Sequence, residues 1–114
     1  MRVTALDATI ALYENPVLVD IQPKGWLSAL YELREQFNRF NKPSELGNNI
    51  HEVHIEVNGT FGSFAIHFQM TRDSANKWQY ELSDLLSDLL GVTFERAGSY
   101  RIANWRDNIE ICAN

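Results

Sequence analysis

The chain has 114 residues, 45% of them apolar and 22% charged, with six glycines and three prolines. These proportions fit one globular domain spanning residues 1–114 and exclude disordered, collagen-like and disulfide-scaffold chains. Ten basic against fifteen acidic residues leave a net charge of −5, which repels a phosphate backbone, so nucleic acid is not an expected partner.

The negative excess lies before the last quarter: residues 1–91 carry seven Lys/Arg and twelve Asp/Glu, and residues 92–114 carry three of each. A single cysteine, Cys112, cannot form an internal disulfide, so stability must come from burial of apolar surface and a reducing, cytoplasmic setting is expected. No charged start followed by an apolar run marks a targeting or membrane segment.

In chain order, Arg2 to Tyr13 mixes β-branched and small residues in rough alternation. Glu14-Asn15-Pro16 interrupts the run before Val17 to Ile21, and the two stretches read as a strand pair. Trp26, Leu30, Leu33, Phe37 and Phe40 then recur at helical spacing and predict a helix over 24–41, with Glu35 and Arg39 paired on its polar side. Pro43 and the polar residues around it read as a loop.

Ile50 to Val57 and Phe61 to Met70 flank Asn58-Gly59, a hairpin signal. Alternation assigns Val53, Ile55, Val57, Phe64, Ile66, Phe68 and Met70 to the core face, and His51 with them. Asp73 or Ser74 is the expected N-cap of a second helix that stops at Gly91, with Trp78, Leu82, Leu85, Leu86, Leu89 and Leu90 as its apolar stripe. Val92 to Arg96, Tyr100 to Ala103 and Ile109 to Cys112 read as further strands, with Ala103 to Asn108 as a loop.

The expected fold is therefore α+β: a two-layer sandwich of a mostly antiparallel sheet with two helices on one face, in the order ββαββαββ. Were the first pair a single strand, the core would have the ferredoxin-like order βαββαβ.

Two surfaces carry candidate chemistry. Glu81, Asp84 and Asp88 recur at i, i+3 and i+7 beside the leucine stripe, with Tyr80 next to them. Asp84 and Asp88 are like charges toward a helix C-terminus, where stability alone disfavours anions. An acidic ridge with an exposed tyrosine complements a basic protein partner, and Trp105 in the following loop is a further contact candidate. The most concrete occupant is a nuclease toxin domain held by a small acidic inhibitor of the immunity or antitoxin class. This requires the carboxylates to remain in solvent rather than tied to arginines of their own chain.

The second surface is the polar face of the hairpin. His54 and His67, with Glu52 or Glu56, place imidazoles and carboxylates on two adjacent strands, a set able to hold a transition metal or to work as an acid/base pair. A solvent-facing sheet surface is polar in any case, and the sequence calls for no catalytic residue, no metal and no cofactor. No phosphate loop, nucleophile elbow, His-Glu-x-x-His or paired-cysteine motif is present. An unpaired edge strand would leave a homodimer open.

Overall fold

A computed structural model describes residues 1–15, 25–40, 45–58, 63–106 and 108–114. The elements are α1 (Thr4–Tyr13), α2 (Trp26–Arg39), a single 3-10 turn (Gly47–Asn49), β1 (Ile50–Asn58), β2 (Ser63–Met70), α3 (Lys77–Leu90), β3 (Glu95–Ala97), β4 (Tyr100–Arg106) and β5 (Ile109–Ala113). The strands form one sheet in the order β1-β2-β5-β4-β3, parallel only between β2 and β5. The chain is thus an α+β sandwich with a mostly antiparallel sheet.

The largest departure from expectation is at the start, where Thr4–Tyr13 is a helix and not a strand. Leu6, Thr9 and Ile10, the residues it buries, fall at i, i+3 and i+4, and Ala5, Ala8 and Ala11 add helix propensity between them. The apparent alternation came from Thr and Val, whose β preference the helical burial pattern overrides. The second expected strand, Val17 to Ile21, lies outside the described residues.

The three helices among the described residues pack on one face of the sheet. That face presents Val53, Phe64, Ile66, Phe68, Ala103, Ile109, Ile111 and Ala113, which share a core with Leu6, Ile10, Leu30, Leu33, Phe37, Leu82 and Leu86. Trp26 bridges the helices to the sheet, its ring centroid 5.1 Å from Tyr13 and 5.7 Å from Phe64. Of the expected core set, Val57 lies on the correct face but is 54% exposed, near the end of its strand. His51 departs from the set altogether: the register slips between Ile50 and Glu52, and this bulge turns His51 to solvent.

The boundaries of α3 follow from its caps. The N-cap is Asn76, in the left-handed region at φ 52° and without a side-chain cap bond, and not the expected Asp73 or Ser74; Asp73 still reaches the first turn, its carboxylate accepting the Lys77 amide at 2.9 Å. At the other end Gly91 adopts φ 66° and donates to Ser87 O at 3.0 Å, the left-handed termination that glycine makes without strain. Gln79 then ties α3 to the sheet, donating to Ser99 O at 2.9 Å and to Ala113 O at 3.0 Å. No helix among the described residues is long and apolar enough to cross a membrane.

Candidate functional site

The outer face of α3 is built from the turns that its buried stripe leaves free. Leu82, Ser83 and Leu86 point into the core, so Tyr80, Glu81, Asp84 and Asp88 emerge on the far side, where all four are exposed. Arg101, on the helix-facing side of β4, straps the sheet to this face. Its guanidinium hydrogen-bonds the Ser83 hydroxyl, lies 3.7 Å from the Asp84 carboxylate and stacks 5.0 Å from the Tyr80 ring centroid.

One of the three carboxylates therefore does meet an arginine of its own chain. At 3.7 Å, with Asp84 79% exposed, that pair is weak and leaves most of the carboxylate to solvent. Lys77 lies 4.0 Å from Glu81 while also stacking on Trp78 at 4.4 Å. Asp88 makes no ion pair among the described residues.

Trp105 belongs to a different neighbourhood. The expected loop over Ala103 to Asn108 is strand as far as Arg106, with a bulge between Asn104 and Arg106. Trp105 is half-buried against the core, with the Arg106 guanidinium stacked on it at 4.3 Å and paired to Glu32 of α2. Four residues of strand, about 13 Å, separate it from Arg101.

On the opposite side of the sheet, β1 and β2 bring His54, Glu56 and His67 together. His54 and His67 are direct cross-strand partners, their rings 4.9 Å apart and within 12° of parallel. Glu56 stands across from Ala65, whose small side chain lets the carboxylate lean over its strand neighbour and its diagonal neighbour. Glu56 Oε1 is 3.2 Å from His54 Nε2 and Oε2 is 3.2 Å from His67 Nε2. Glu52, the other candidate, faces Gln69 beside the bulge and stays out of the group.

On the next strand, β5, Cys112 is the ladder partner of His67, with Glu110 beside it. Burial lowers the His67 pKa below its ordinary value, opposed by the Glu56 and Glu110 carboxylates, so the ring is biased to its neutral form. Burial with the same two carboxylates pushes the Cys112 thiol up to about 11. His54 Nδ1 is buried without a hydrogen-bond partner.

Alternation in the sequence placed His54 and His67 on one face, but it could not pair them. A two-residue turn centred on Asn58-Gly59 would set His54 opposite Ser63; the observed register is four residues further along. The cysteine adjacency depends on the parallel β2/β5 pairing, for which no local sequence signal exists. Neither a protein-family model, nor a curated protein, nor a solved structure matches this chain.

Proposed function

We propose that the chain is a non-enzymatic protein-binding module of the cytoplasm that takes a basic protein partner on the outer face of α3. The observation that carries this reading is Tyr80: it stays 42% exposed while the Arg101 guanidinium stacks on its ring, beside Glu81 and Asp84 on the same helix. A fixed aromatic loses little side-chain freedom on binding, and carboxylates around it steer a cationic surface toward it. The net charge of −5 adds long-range attraction of the same sign.

The proposed patch leaves out Trp105, whose ring is half-buried under the Arg106 guanidinium four residues along β4 from Arg101. The most concrete version remains an inhibitor of the immunity or antitoxin class that covers the cationic active-site cleft of a nuclease toxin. Its support is charge, size and the rigid acidic helix.

The test is paired affinity capture from the source cells, with the native chain and the Glu81→Lys/Asp88→Lys variant as baits. Both positions are exposed, so the fold should be unaffected. The expected outcome is a basic protein retained by the native chain and lost at least tenfold by the variant. An identical captured set from both baits would refute the reading.

A further inference from the structure

We propose that His54, Glu56 and His67 form a binding site for a divalent transition ion of the zinc class, with two imidazole nitrogens, one carboxylate and a coordination position open to solvent. This site is independent of the α3 face, which lies on the other side of the sheet.

The geometry argues for it in three steps. One ligand atom from each of the three side chains lies within 4.8 Å of the others. Bonds of about 2.0–2.1 Å in a tetrahedral arrangement need ligand atoms roughly 3.3 Å apart. Each Glu56 oxygen stands 3.2 Å from one imidazole, Oε1 from His54 Nε2 and Oε2 from His67 Nε2, so the carboxylate spans the pair, and side-chain rotation is what brings one oxygen and both nitrogens onto a single ion.

The scaffold is also favourable. Both histidines sit mid-strand in directly paired positions, so the backbone fixes their separation, and the small, buried Ala65 leaves the carboxylate its place between them. A structural role explains less. Two parallel imidazoles sharing one exposed carboxylate add little stability, and the unpartnered Nδ1 of His54 is a cost of holding that ring here.

The donor set decides the ion. Imidazole nitrogens with a carboxylate suit Zn²⁺ and Cu²⁺, whereas Ca²⁺ and Mg²⁺ require oxygen ligands throughout. Three protein ligands leave the fourth position to water or to an exchangeable anion, the arrangement of an open rather than a closed zinc centre. No outer hydrogen bond holds His54 in the tautomer that frees Nε2, and lack of such a contact commonly weakens binding by about 10–100-fold. The site is therefore expected to bind Zn²⁺ more weakly than one whose histidines carry such outer contacts.

The experiment is titration of tag-free, chelator-stripped protein with ZnCl₂, followed by calorimetry and by competition with a chromophoric chelator. Expected is 1:1 saturation, tighter with Cu²⁺ and absent with Ca²⁺ or Mg²⁺. His54→Ala and Glu56→Gln should each weaken Zn²⁺ binding about tenfold or more, and His51→Ala, on the bulge, should leave it unchanged. His67→Ala belongs to the same series provided its circular dichroism is native; the other two variants are at more exposed positions and carry the test without it. Loading with Co²⁺ should give the intense visible bands of a four-coordinate ion, lost in Glu56→Gln. Absence of saturable binding below about 1 mM, or binding as tight in His54→Ala as in the native chain, would overturn the proposal.

Discussion

Arg101 is a charged residue on the core-facing side of a strand, held there by contacts of its Nη1 and of its guanidinium face. The guanidinium meets a buried hydroxyl, an exposed carboxylate and an aromatic face in one place. Arg101→Ala should cost about 1–2 kcal/mol in chemical denaturation, chiefly from the lost hydrogen bond and cation–π contact. A double-mutant cycle with Tyr80→Ala should show coupling of roughly 0.5–1 kcal/mol; zero coupling would mean that the arginine does not hold the ring.

Cys112 gives a pH prediction of definite sign. Its thiol rises from the ordinary value of 9.0 to about 11 in the fold. Above pH 9 the unfolded thiol ionises while the folded one, beside His67, Glu56 and Glu110, keeps its proton, so stability falls from about pH 9 to pH 11 and then levels. The loss attributable to this group is on the order of 2 kcal/mol. It should appear as the difference between native and Cys112→Ala denaturation midpoints across that range, and parallel curves would contradict it. Little of this residue-scale detail could be read from the sequence. The acidic ridge was legible because helical spacing fixes which residues share a side, but the Arg101 strap and the Cys112 neighbourhood arise from strand pairings set by the whole sheet.

At the scale of elements, α1 does more than add a layer. The free edge of β1 is nine residues long, and α1 lies along it: Thr9 Oγ1 donates to Val53 O at 2.6 Å, and Tyr13 hydrogen-bonds the backbone of Ile55. Two outward-facing backbone groups that could recruit another strand are thereby occupied. Pairing of two copies through β1 is blocked at its centre, so sedimentation at tens of micromolar should show a monomer. Thr9→Val keeps the shape but leaves Val53 O without its donor, and it should destabilise the fold by about 1–3 kcal/mol. A neutral effect would place the helix elsewhere.

The same residues explain the limit of the sequence at this scale. In α2 and α3 the apolar stripe runs through three to four turns and the period is unambiguous. In α1 a ten-residue segment with Thr at two positions gives too short a record to separate a period of 3.6 from one of 2. Trp105 falls in an apparent loop of the sequence for a related reason, since a bulged strand end breaks alternation just where the strand would otherwise be signalled.

Across the whole molecule the sheet divides two surfaces of different chemistry. Helices cover one face and put the acidic side of α3 outermost, while the other face carries the imidazole and carboxylate group on β1 and β2. Chemistry on one is therefore expected to be additive with chemistry on the other, because no described side chain belongs to both. Charge reversal on α3 should leave metal affinity unchanged, and zinc should leave partner affinity unchanged.

The partner reading is tested most directly by hydrogen–deuterium exchange of the chain alone and in complex with the captured basic protein. Slowed exchange concentrated in Lys77–Leu90 and the adjoining turn between β3 and β4, with β1 and β2 unaltered, is the predicted result. Protection centred on β1 and β2 while α3 exchanges as in the free chain would contradict it.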